Sequence, residues 1–81
     1  MMTKEDMKKE IMNILNDIDD SIDYASEEHL IDDHILDSFM IISLVSELED
    51  AFDVRISAAD MIASNFNSVD EMADMILHLQ K

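Results

Sequence analysis

The sequence predicts an all-α fold, a small bundle of three main helices plus one short helix, with a long first loop. Three observations carry this. Glycine and proline are both absent, so turns must rest on Asn, Asp and Ser, which suits short capped helical connections better than tight β-hairpins. Apolar residues recur at helical spacing. Ser, Thr and Asp stand where helices would begin. The 81 residues are expected to form one domain over 1–81, near the lower limit for a chain that folds without disulfides or a metal. High acidity can signal disorder, but 48% hydrophobic residues with clear periodicity predict a folded core.

The first helix opens at Thr3, with Asp6 in the position where a capping box usually has Glu or Gln. Met7, Ile11, Ile14, Leu15 and Ile18 form its apolar stripe, and Asp19-Asp20-Ser21 ends it. Residues 19–36 form a long connection with apolar anchors at Ile22, Tyr24, Leu30, Ile31, Ile35 and Leu36, and loops of this length are often functional. Asp37 or Ser38 caps a second helix that runs to about Phe52. Its core stripe is Ile41, Leu44, Val45, Leu48, Ala51 and Phe52, with Phe39 and Ile42 partly outside it. Val54 and Ile56 are expected to be extended and to tuck in. Ser57-Ala58-Ala59-Asp60 begins the short third helix, with Met61 and Ile62 facing inward and Asn65 near its end. Ser68-Val69-Asp70-Glu71 is a full capping box for the last helix, whose stripe is Val69, Met72, Ala73, Ile76 and Leu79. Among the eight methionines, Met7, Met61 and Met72 are expected in an adaptable core and Met40 exposed near Ser38.

Five bases against twenty acids leave a net charge of −15. Such a surface repels nucleic acid and anionic membranes and attracts basic protein patches, and self-repulsion favours a monomer. No cysteine is present, which excludes a disulfide framework, a thiolate zinc site and a thiol nucleophile. With no signal peptide or membrane-length apolar run, the expected compartment is the cytoplasm. Intrinsic catalysis is not expected, because no base or oxyanion site is convincingly placed for a serine nucleophile.

The run Asp32-Asp33-His34-Ile35-Leu36-Asp37-Ser38-Phe39-Met40-Ile41-Ile42 holds the residue on which function turns. Ser38 at a helix entrance is either a cap or a hydroxyl displayed for modification. The segment Ile35-Leu36-Asp37-Ser38-Phe39, followed by Leu44-Val45-Ser46-Glu47-Leu48-Glu49-Asp50-Ala51-Phe52, resembles the acyl and peptidyl carrier proteins, and the order of elements extends the likeness over nearly the whole chain.

The resemblance implies that Ser38, flanked by Asp37, receives 4′-phosphopantetheine from coenzyme A through a separate phosphopantetheinyl transferase. An acyl or aminoacyl group would then be held as a thioester, loaded by an acyl- or amino-acid-activating ligase and passed to downstream acyl-transfer enzymes. The implied partner face lies on the second helix: Phe39, Met40 and Ile42 for apolar contact, and Glu47, Glu49, Asp50 and Asp53 for charge. Carriers usually have glycine shortly before Asp-Ser, where this chain has His34, and a positive backbone angle is awkward for His. Carriers of fatty acid synthesis commonly read Asp-Ser-Leu. The Asp-Ser-Phe form and the apolar first turn look closer to D-alanyl and other stand-alone aminoacyl carriers. The rival class is an unmodified small acidic helical adaptor for basic protein partners, and the two classes differ on Ser38 alone.

Two metal readings are weaker. Asp17, Asp19, Ser21, Asp23 and Glu28 fall at EF-hand-like spacing, but Ile22 stands where the turn demands glycine. His29, Asp33 and His34 in the acidic loop are more simply solvated, and His78 is expected at the surface near a helix carboxyl end.

Overall fold

The computed structural model describes residues 3–80; Met1, Met2 and Lys81 lie outside them. Among these residues the secondary structure is entirely helical. The order is α1 (Lys4–Ile18), α2 (Ser38–Phe52), a 3-10 turn (Ala58–Asp60), α3 (Ala63–Phe66) and α4 (Val69–Leu79). The helix α1 packs against both α2 and α4, and α3 packs against α4. The result measures 30 × 25 × 19 Å, and among the described residues no helix is long and apolar enough to cross a membrane.

Each main helix begins at the residue its sequence pattern indicates. Thr3 Oγ1 accepts from the Asp6 amide at 3.2 Å, and Glu5 and Asp6 place negative charge in the first turn, where the helix dipole favours it. Ser68 Oγ accepts from the Glu71 amide at 3.1 Å and donates to Glu71 Oε1 at 3.2 Å. At the far end of α1, the Tyr24 hydroxyl donates to the Asp19 carbonyl at 2.7 Å and lies 3.3 Å from that of Leu15. Tyr24 thereby gives the Asp19 carbonyl, at the end of α1, a partner and ties the first loop to α1. Its burial pushes the phenol pKa up, aided by the nearby carboxylates of Asp19 and Asp20.

The core joins Met7, Ile11 and Leu15 of α1, Leu44 and Leu48 of α2, and Met72 and Ile76 of α4 with Leu30 of the loop, all essentially inaccessible. Tyr24 and Leu36 are the other buried loop anchors, while Ile22, Ile31 and Ile35 are half-buried against the core. Ile56 is buried after α2, as expected, with Val54 half-buried beside it.

Five residues depart from the expected packing, Met40 among them. Ala51 is exposed rather than part of the α2 stripe, lying at the edge of the buried arc. Met75 is buried although its position lies outside the expected stripe, because α4 packs on α1 and α3 together and so buries a wider arc. Met61 and Ile62 do not face inward: they are 44% and 52% exposed.

The physical reason is a break in what the sequence presents as one short helix. The Asp60 carboxylate accepts from the Ser57 amide and hydroxyl, closing the 3-10 turn locally. Asn65 Nδ2 then donates to the Asp60 carbonyl at 2.8 Å, filling an acceptor that a continuing helix would use. β-Branched Ile62 is extended, with φ −112° and ψ 151°, before α3 starts at Ala63. Met40, expected exposed, is half-buried against the core.

With no glycine available, two non-glycine residues take left-handed backbone angles. Asp53 (φ 52°) ends α2, and His34 (φ 57°) turns the chain four residues before Ser38. His and Asp are among the residue types that tolerate this region best.

Candidate functional site

The start of α2 is built by Asp37. Its Oδ1 accepts the Met40 amide at 2.9 Å, and its carbonyl accepts the Ile41 amide at 3.0 Å. Asp37 is therefore the cap, which settles the choice between it and Ser38. Ser38 is the first helical residue, and its exposed side chain is not needed to begin the helix. The first turn of α2 carries no acidic residue, so the positive end of the helix dipole is not neutralised there except by the cap itself.

Ser38 borders an apolar groove of about 280 Å³ lined also by Ile31, Ile41, Ile42, Met61, Ile62, Ala63 and Phe66. Three segments meet at it: the first loop through Ile31, the start of α2, and the broken stretch from Met61 to α3. The outward turn of Met61 and Ile62 builds one wall. Among the described residues the exposed large hydrophobic side chains are Phe39 at 84%, Ile42 at 64%, Met61 and Ile62, all of them lining this groove or flanking Ser38 in sequence. These side chains form an apolar surface gathered around one hydroxyl, unlike the single exposed apolar residues that are ordinarily scattered over a protein surface.

The other residues singled out on α2 divide. Glu47 and Asp50 are exposed along the helix, and Asp53 is exposed at its left-handed end. Glu49 is half-buried, and its Oε2 accepts the Ile56 amide at 2.9 Å, holding the chain that leaves α2. Met40 packs inward. Phe39, Ile42, Glu47, Asp50 and Asp53 are thus the expected contact residues that solvent reaches and whose side chains make no internal bond.

The acidic first loop uses its side chains locally. Asp19 Oδ1 accepts from both the amide and the hydroxyl of Ser21, at 2.9 and 2.6 Å, which holds its carboxyl below the usual carboxylate range. Asp23 Oδ2 accepts from Ser26 at 2.8 Å. Among the described residues, no group of three or more His, Asp or Glu side chains converges to hold a metal ion. His29 Nδ1 lies 3.8 Å from Asp32 Oδ2, and both side chains are largely exposed. A larger depression, about 770 Å³, lies between α1, the loop and the start of α4, with Glu5, Lys8, Lys9, Glu28, His29 and Asp70 in its lining and neither Ser38 nor any of the residues expected on its partner face.

Asn67, which no sequence pattern singles out, is buried at 8% exposure between α3 and α4. Its side chain reaches back to the loop that precedes Ser38.

The family model described as "Phosphopantetheine attachment site" matches residues 8–76. Similar curated proteins include the D-alanyl carrier proteins of Streptococcus gordonii, Streptococcus sanguinis and Streptococcus thermophilus. Each is 25% identical over 76 residues, covering 93% of this chain and 96% of the relative. No solved structure matches the chain.

Proposed function

The chain belongs to the phosphopantetheine attachment-site family, and on that premise we propose that it is a stand-alone aminoacyl carrier whose arm is attached through Ser38. Members of the family carry 4′-phosphopantetheine covalently and are not themselves catalysts. The observation that supports Ser38 is the division of labour with Asp37: the aspartate caps α2 and leaves an exposed hydroxyl beside an apolar groove.

The residues around Ser38 suit the group. The start of a 15-residue helix favours a phosphodiester through its dipole and its free amides, and no carboxylate follows in the first turn. In loading, Ser38 Oγ displaces the adenosine bisphosphate half of coenzyme A. An Oγ–P bond forms, the pyrophosphate P–O bond breaks, and the hydroxyl proton passes to the transferase. The bound arm supplies a thiol, which this cysteine-free chain lacks, to hold cargo as a thioester. Ile41, Ile42, Met61 and Ile62 offer apolar surface next to the attachment point. Phe39 and Ile42, with Glu47, Asp50 and Asp53, form the face offered to the transferase, an amino-acid-activating ligase and the enzyme that accepts the cargo.

A small aminoacyl cargo is favoured by the Asp-Ser-Phe motif, by the names of the similar proteins, and by a groove that is shallow and limited in volume. The test is to load the holo-protein with ATP, magnesium, D-alanine and a D-alanine-activating ligase, and in parallel with fatty acids and an acyl-activating ligase. A hydroxylamine-labile mass gain of one alanyl group is expected. Efficient loading with long-chain acyl groups and none with the amino acid would contradict the aminoacyl reading.

A further inference from the structure

Four hydrogen bonds join Asn67 to three consecutive residues of the first loop. The Leu30 amide donates to the Asn67 carbonyl at 2.9 Å, and the Ile31 and Asp32 amides donate to Asn67 Oδ1 at 3.0 and 3.1 Å. Asn67 Nδ2 donates to Asp32 Oδ2 at 3.2 Å. These bonds span 35 and 36 residues of sequence where the side chain is concerned.

The segment they grip is closed upon itself. The Leu36 amide donates to the Leu30 carbonyl at 3.0 Å and the His34 amide to the Ile31 carbonyl at 3.0 Å, with His34 left-handed at the turn. Leu30 and Leu36 are buried at its two ends. Leu36 directly precedes Asp37, so what fixes Leu30 also fixes the approach to the cap and to Ser38. Ile31 lines the groove from the loop, and Phe66, the neighbour of Asn67 in sequence, lines it from α3.

Ile31 is only half-buried and Asp32 is exposed, so water would replace much of the lost hydrogen bonding if the amide were removed. The consequence of removal is therefore disorder of the segment more than collapse of the fold. We infer that Asn67 is a positioning residue for the loading of Ser38: it holds residues 30–37 in one arrangement, so that a modifying enzyme meets the hydroxyl in a single geometry. The inference rests on the reading of Ser38 as the attachment site.

The test is the rate of coenzyme A-dependent modification by a phosphopantetheinyl transferase, followed by intact mass well below every melting temperature, together with amide hydrogen exchange. Asn67→Ala removes the clamp. Asn67→Asp keeps the acceptors but sets two carboxylates against each other. The paired exchange Asn67→Asp with Asp32→Asn reverses donor and acceptor and restores the bond. Ile11→Val is a control that loosens the shared core without touching any of the Asn67 bonds.

For Asn67→Ala and Asn67→Asp we expect KM for the carrier to rise about tenfold with kcat little changed, as when the competent fraction of conformers falls by that factor. Exchange should accelerate from Ile31 to Asp37, the paired exchange should recover most of the rate, and Ile11→Val should load as the wild type does. Equal loading of Asn67→Ala and wild type, or an equal loss in Ile11→Val, would overturn the positioning role. If the wild-type chain gained no mass at all, the attachment reading would fall, and this inference with it.

Discussion

The carboxylate of Asp37 accepts the Met40 amide at 2.9 Å, so the helix that begins at Ser38 is capped by the residue before it. Two adjacent polar residues at a helix start usually compete for the same orphan amides. Here Asp37 takes the structural task and the Ser38 side chain is left exposed.

That division predicts opposite results for two neighbouring alanines. Asp37→Ala should lose about 1 kcal/mol, the usual worth of a cap. In a domain of this size that lowers Tm by roughly 4–8 °C. Ser38→Ala should stay within about 0.5 kcal/mol of wild type, as surface substitutions generally do. Thermal melts of the pair decide it: a Ser38→Ala variant destabilised as much as Asp37→Ala would make the serine structural.

His34 carries a left-handed backbone in a chain without glycine. The strain of that region for an L-residue, about 1–2 kcal/mol, exceeds the added chain entropy of glycine, about 0.5–1 kcal/mol. His34→Gly should therefore raise stability by roughly 0.5–1 kcal/mol, seen as a higher midpoint in urea. The His34 amide keeps its bond to Ile31 in the variant, so the turn itself should survive.

Lys4 joins α1 to α4. Its Nζ lies 3.0 Å from Asp70 and 3.0 Å from Asp74, and Lys8 adds a contact to Asp70 at 3.5 Å. Hydrogen bonds to Asp74 and then Asp70 raise the Lys4 pKa above its ordinary value of 10.5, and the bond from Lys4 lowers that of Asp70. For Asp70, a depressed folded pKa means stabilisation that is present above the ordinary carboxylate value of 3.8 and lost as pH falls through the lower folded one. For Lys4, the raised pKa gives stabilisation that is present below 10.5 and lost as pH rises through the higher folded value. Asp70 and Asp74 are exposed and Lys4 and Lys8 are only half-buried, so the effect is modest and screened by salt. Lys4→Gln should lower Tm on the neutral plateau, and its difference from wild type should shrink as pH falls below about 4. A difference unchanged down to about pH 2 would dissociate Lys4 from these carboxylates.

Helix positions were legible because their signals are local. Thr3, Asp37 and Ser68 act within three residues of themselves, and the stripes of α1 and α4 follow the helical repeat. The Asp-Ser-Phe motif was legible for the same reason. What escaped depends on partners distant in sequence or on competition between side chains. Nothing near Met61 announces that Asp60 and Asn65 will interrupt the short helix, yet that break turns Met61 and Ile62 outward and makes the groove beside Ser38. Asn67 reads as an ordinary residue before a capping serine, and its role appears only when the chain brings Ile31 and Asp32 against it. Glu49 reads as one acid among several on a solvated face, and its bond from the Ile56 amide exists only once the chain leaving α2 folds back on it.

The most direct measurement is intact mass, with peptide mapping, after incubation with coenzyme A and a broad-specificity phosphopantetheinyl transferase, with Ser38→Ala alongside. The account predicts a gain of one phosphopantetheinyl group, mapped to the peptide containing Ser38 and absent from the variant. A group found on another residue, or no gain even with the cognate transferase, would contradict it.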